Sequence, residues 1–188
     1  GQFFVEASEP LEAWLMGWDR RLFGDPAARF AAWPRTITAV FESAYFATFL
    51  LLPAGCAVLL LGGHEAAVSH YWTIVTAAEF GAFGPLAFVQ SRPPWSLEAA
   101  RQSEPAPFRR FGLQWVRRTS HCANTFPSGH AAGSLAVAFG VLPVMPAAGV
   151  VLLAVALTIC AASVVGRYHY AVDVIAGVLL TVLVVLVL

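Results

Sequence analysis

Two short stretches carry the side chains best suited to chemistry: Phe126-Pro127-Ser128-Gly129-His130 and Arg167-Tyr168-His169-Tyr170-Ala171-Val172-Asp173. Pro127-Ser128 reads as a helix start, with Ser128 as the N-cap. Gly129 has no side chain to keep a ligand away from the backbone. Free amides and the positive end of the dipole make such a start an anion site. His130, just inside it, can give a proton to a departing oxygen. His169 and Asp173, four apart, are expected on one face of a helix. A carboxylate bonded to one imidazole nitrogen leaves the other as a nucleophile or base. An isolated His/Asp pair equally fits a structural role. Arg92 and Arg167 shift the balance toward a site that grips a tetrahedral anion, because guanidinium forks match such oxygens.

These pieces need a scaffold, and the composition says which kind. Of the 188 residues, 59% are apolar and the mean hydropathy is +0.70, well above the level of soluble domains. The expected fold is all-α, a polytopic membrane helix bundle. Its spans run from about Thr36 to Leu61, Ala66 to Val89, Ser128 to Val144, Ala147 to Val165, and Tyr168 to the end. Residues 10–23 place Leu11, Trp14, Leu15, Trp18 and Leu22 at helical spacing beside Arg20 and Arg21. That pattern suits either a helix lying in the headgroup layer or an ordinary amphipathic helix packed on a neighbour. Glu42 and Glu79 fall within spans, where ionisable groups face the bundle interior or a wet cavity. Residues 1–188 read as a single domain, and the apolar run at the end is the pattern expected of a piece of a longer chain.

Five alternating spans bring Arg92, Ser128 to His130, and Arg167 to His169 to one face. The connection from Gln90 to Pro127 interleaves Arg101, Arg109, Arg110, Arg117 and Arg118 with Phe108, Phe111, Trp115 and Val116. It is expected to cover lipid heads or wall a headgroup pocket, with a plain solvated loop as the alternative. All eleven basic residues are arginine, and the formal charge is zero. No basic excess exists to displace counterions, which argues against a nucleic-acid partner. His64, Glu65 and His70, and separately His121 and Cys122, lack the count and spacing of a closed zinc site. No metal or other cofactor is expected.

Arg92-Pro93, Pro127-Ser128-Gly129-His130, and His169 with Asp173 and Gly177 resemble the three signature motifs of the type-2 phosphatidic acid phosphatase / vanadium haloperoxidase superfamily, over roughly residues 85 to 177. The first motif is partial: Pro85 stands where the family usually has a lysine. In the third, Ser163 stands where an arginine is usual, with Arg167 nearer the histidine. The looser first motif and the Arg-Tyr-His-Tyr run look more like the lipid headgroup phosphotransferase branch (inositol-phosphoryl-ceramide synthase-like).

The resemblance implies that His169 attacks phosphorus, Asp173 orients it, and His130 protonates the leaving alkoxide. It also implies that Ser128, Gly129 and Arg92 hold the phosphoryl oxygens, with Arg167 supplying the guanidinium that Ser163 lacks. The expected activity is metal-independent phosphoryl transfer on a phospholipid or isoprenoid-lipid phosphate in the plasma membrane, as a phosphatase or a headgroup phosphotransferase. A non-catalytic phospholipid-binding membrane protein is the alternative from another class. The side of the membrane stays open: the arginines favour a cytoplasmic face, the resemblance an outer or lumenal one.

Overall fold

A computed structural model describes residues 6–98, 112, 114, 116 and 124–188. Arg101, Phe108, Arg109, Arg110, Phe111, Trp115, Arg117, Arg118, His121 and Cys122 lie outside the described residues. The described residues form eight α-helices and no strand: α1 Glu9–Phe23, α2 Pro26–Ala31, α3 Arg35–Leu61, α4 Val68–Phe83, α5 Pro94–Leu97, α6 Gly129–Val141, α7 Pro146–Val165 and α8 Ala171–Val187. Short 3-10 turns, Glu65–Ala67 and Gly84–Ala87, flank α4.

Helix α6 is the hub. It packs on α3, α4, α7 and α8, and nearly every residue from Gly129 to Val141 is buried. Its sequence is rich in Gly, Ala and Ser, which lets neighbouring backbones approach closely. Gly133 is one such place: a Cβ there would sit 1.9 Å from Glu79 Oε1. The side chain of Glu79 therefore lies in the groove that this glycine opens.

A helix is present at each of the five expected spans: α3 and α7 match the expected bounds to within a residue, while α4, α6 and α8 are shorter. Helix α4 ends at Phe83 because Gly84-Pro85 tightens the chain into a 3-10 turn. Among the described residues, only α3 and α7 are long and apolar enough by themselves to cross a membrane; α6 and α8 are shorter apolar helices. Five complete crossings are thus not demonstrated by helix length. Large apolar side chains nevertheless lie outward on the four longer elements, including Leu50, Leu61, Phe80, Val151, Leu179 and Leu186.

Helix α1 inverts the usual pattern. It is capped by Ser8, whose Oγ accepts from Leu11 N at 3.4 Å. Its buried face consists of Glu12, Leu15 and Asp19, while Trp14, Trp18 and Leu22 are exposed. Two acids point inward because each meets an arginine of the motif-bearing loops. The cation of Arg21 sits 5.1 Å over the Trp18 ring, so an aromatic and basic face is left outside.

Candidate active site

The start of α6 is tied directly to the start of α8. Ser128 N donates to Asp173 O at 2.9 Å, and Ser128 Oγ accepts from Ala131 N at 3.4 Å as an N-cap. Gly129 N donates to Thr125 Oγ1 at 3.1 Å. Gly177 makes the junction possible, since a Cβ on it would lie 2.6 Å from Ser128 O. This backbone contact is what brings the two motifs together.

The segment holding His169 is not helical, contrary to the helix expected from Tyr168. Arg167 adopts φ 57°, a left-handed turn that ends the run from α7. Ser163 O then accepts from both Tyr168 N at 3.0 Å and His169 N at 2.9 Å. Asn124 Nδ2 donates to Tyr168 O at 2.8 Å. Tyr170 is the N-cap of α8, and Asp173 Oδ2 accepts from Tyr170 N at 3.1 Å. A carboxylate reaching back to the cap makes the helix start two residues after the histidine. His169 and Asp173 therefore meet across a helix start, not along one face of a helix.

His169 Nδ1 and Asp173 Oδ2 are 3.5 Å apart, too far for a closed hydrogen bond. His169 is 3% exposed, and burial pulls its pKa down to about 4, so the imidazole is neutral at pH 7. The rings of His130 and His169 face each other with centroids 5.4 Å apart at 58°. His130 Nε2, His169 Nδ1 and Asp173 Oδ1 are buried without a hydrogen-bond partner among the described residues. Unpaired buried polar atoms are costly and uncommon. Their clustering here marks a place prepared for another polar group.

The arginines are placed differently from the sequence expectation. Arg92 Nη2 lies 2.7 Å from Glu12 Oε2; Arg92 Nε and backbone N also donate to Glu12 Oε1, at 3.0 and 2.7 Å. Burial raises the pKa of Glu12, but Arg92 outweighs it and holds the carboxyl below its ordinary value. Arg167 is buried with three of its nitrogens on carboxylates. Nη1 donates to Asp19 at 2.7 Å, and Nη2 and Nε donate to Glu98 at 2.8 and 3.0 Å. Asp19 Oδ1 also accepts from Ala171 N at 2.9 Å, so one carboxylate holds residues on both flanks of His169. A cavity of about 440 Å³ lies here, lined in part by Glu12, Asp19, Arg92, Glu98 and Arg167. The two histidines do not line it.

Three further residues join this cluster: Glu42, which the sequence marks as an ionisable group within a span, and Tyr45 and Tyr168, whose parts it does not show. Tyr45 of α3 stacks on His130, with centroids 4.4 Å apart at 13°. Tyr168 stacks on the other face of Tyr45 at 3.8 Å. The hydroxyl of Tyr168 donates to Glu42 at 2.6 Å, which explains an acid in α3. The one signal for Tyr45 was spacing: Glu42 and Tyr45, three apart, share a helical face that also carries the outer aromatics.

No curated protein and no solved structure matches the chain. Residues 66–188, well over half of it, match the family model described as PAP2 superfamily, and the matched stretch contains the paired histidines, the capped start of α6 and the loop between α7 and α8. Such membership implies phosphatase- or phosphotransferase-type chemistry on a phosphate ester. With the geometry and the family match pointing the same way, the chain belongs to the PAP2 superfamily.

Proposed function

We propose that the protein is a membrane-embedded enzyme that cleaves or transfers the phosphoryl group of a lipid phosphate through His169. The observation that carries this reading is the facing pair of imidazoles, 5.4 Å between centroids, with unpaired buried nitrogens. That proximity lets both imidazoles touch one phosphoryl group from the same side, His169 at phosphorus and His130 at the leaving oxygen. With Nδ1 of His169 turned to Asp173, Nε2 is the nucleophile: its lone pair forms the N–P bond as the P–O bond to the lipid breaks. The leaving oxygen takes its proton from His130. Water, or a hydroxyl of a second molecule, then attacks phosphorus, giving its proton to His130 as the N–P bond breaks and releases His169. Catalysis of this kind depends on positioning and charge stabilisation.

Asp173 needs to close only a few tenths of an ångström to accept from Nδ1 and favour the phosphorylated imidazole. The amides of Ser128 and Gly129 are engaged by Asp173 O and Thr125 Oγ1, so the start of α6 acts on the phosphoryl oxygens through the positive end of its dipole. Arg92, with a half-exposed side chain whose Nε and Nη2 engage Glu12, reaches the phosphate by exchanging that carboxylate. Arg167, closed between Asp19 and Glu98, acts by shaping the His169 loop instead of by holding substrate.

Membrane embedding is supported by the exposed apolar side chains on α3, α4, α7 and α8. In this reading all five longer helices cross a thinned or irregular layer, with α1 in the headgroup region of the plasma membrane. A phospholipid or isoprenoid phosphate then presents its head to the histidines from the lipid phase. The looser first motif and the Arg167-Tyr168-His169-Tyr170 run, which look more like the headgroup phosphotransferase branch, favour headgroup transfer as the second reading.

The deciding experiment incubates purified protein with a panel of radiolabelled lipid phosphates, with and without an acceptor alcohol lipid. Free phosphate identifies a phosphatase, and label in the acceptor identifies a transferase. His169→Ala is expected to abolish both, together with any acid-labile phosphoprotein. Unchanged turnover in His169→Ala refutes the proposal. Lipid binding without turnover in the wild type supports a non-catalytic protein.

A further inference from the structure

An imidazole on the first turn of a helix can swing about two side-chain torsions, yet a proton donor is useful only when its nitrogen points at the departing atom. What holds the His130 ring is an aromatic slot outside the family-matched stretch. Tyr45 covers one face at 4.4 Å and nearly parallel, and Phe49 meets the ring edge-on at 5.9 Å and 82°. Both come from α3, one helical turn apart.

Tyr45 is itself fixed from behind. The Tyr168 ring lies 3.8 Å away at 10°, Phe46 packs edge-on at 5.3 Å, and the hydroxyl of Tyr168 is anchored on Glu42. The result is a continuous stack, Tyr168 on Tyr45 on His130, that runs from the residue before the nucleophile to the opposing histidine. Such a stack sets the plane of the His130 ring relative to His169, here 58°. It also leaves Nε2 buried and unpaired among the described residues.

We propose that Tyr45 is the positioning residue for the leaving-group acid, holding the His130 ring at the angle from which it protonates the departing lipid oxygen. This rests on the proposed role of His130, and the test is chosen to separate the two. A proton donor matters most when the leaving oxygen is a poor one. It matters little when the oxygen leaves readily as an aryloxide. A merely structural defect lowers turnover of both kinds of ester alike.

The experiment compares an alkyl phosphate and a nitrophenyl phosphate carrying the same apolar chain, on the full protein in detergent. His130→Ala serves as the reference, and Tyr45→Leu, Tyr45→Met and Tyr45→Phe are the variants. General acid catalysis is worth roughly 10²- to 10⁴-fold, and a misaimed donor forfeits part of that. Tyr45→Leu and Tyr45→Met are expected to lose about 10-fold or more in kcat on the alkyl ester. On the aryl ester they are expected to lose less than about 3-fold, with KM little changed on either. Tyr45→Phe keeps the stacked face and is expected to restore the wild-type ratio. Two different apolar replacements guard against one failing to fold. Equal losses on both esters, or none, while His130→Ala discriminates between them, overturns the proposal alone. Absence of discrimination in His130→Ala itself overturns the reading of His130, and the proposal with it.

Discussion

Asp19 gives the sharpest stability test, because it joins the part of the chain before the family-matched stretch to the loop that carries His169. Its carboxylate is 1% exposed and lies 2.7 Å from Arg167 Nη1, itself 2% exposed; the other oxygen accepts from Ala171 N. Removing one partner of a buried ion pair costs about 3–5 kcal/mol, since the remaining charge is left without compensation. Here Glu98 still holds Nε and Nη2 of Arg167, so the lower end, about 3 kcal/mol, applies to Asp19→Ala. For a chain of this size that corresponds to a fall in Tm of roughly 6–12 °C. Thermal unfolding in detergent, followed by tryptophan fluorescence, reads it directly. Asp19→Asn keeps an acceptor for Ala171 N and is expected to fall about half as far. In a double-mutant cycle with Arg167→Ala, coupling of the two sites is expected to exceed about 1 kcal/mol. A Tm for Asp19→Ala within 1 °C of wild type, on the order of ~0.3 kcal/mol, would show that the pair does not clamp the loop.

Burial and contact set four further expectations. The pKa of His169, lowered to about 4 by burial, keeps the imidazole deprotonated down to mildly acidic pH. The acid limb of kcat/KM set by this group is therefore expected near pH 4, and a limb near 6.5 would contradict its buried, neutral state. The same shift bears on stability. The unfolded chain binds the proton first, so stability is full above about 6.5 and falls by about 3 kcal/mol as pH drops toward 4. Gly177→Ala would place a Cβ 2.6 Å from Ser128 O. It is expected to cost about 1–3 kcal/mol and to lower turnover by parting the starts of α6 and α8. Gly17→Ala, with nothing within 4 Å, is the contrast: it is expected to stabilise by about 1 kcal/mol through helix propensity. Thermal unfolding of the two variants side by side checks both.

The helices and both histidine-bearing segments could be read from the chain because their signals are local. Apolar runs bounded by Pro143, Pro146 and Gly166 mark helices whatever they pack against. Ser128 before Gly129 caps α6 through a bond to an amide three residues on. The start of α8 was misjudged by three residues for an equally local reason. Asp173 was read as a partner for His169 alone, while its carboxylate also reaches back to Tyr170 N. That one hydrogen bond turns a helical register into a cap.

What the tertiary structure alone decided is which charge meets which, and what stands behind each imidazole. Arg92 and Arg167 have the types and positions of phosphate ligands, but the chain contains several acids and nothing in their spacing assigns them. Folding pairs Arg167 with Asp19 and Glu98, 148 and 69 residues away, and Arg92 with Glu12, 80 away. A buried guanidinium such as that of Arg167 requires carboxylate partners, and only the packing of α1 and of the α5 end against the segment before α8 brings Asp19 and Glu98 to it. The same holds for Tyr45, whose role depends on a ring plane set by Tyr168 from the far end of the chain. Residue types and caps are written locally; desolvated pairings and stacked rings exist only once distant segments are brought into contact.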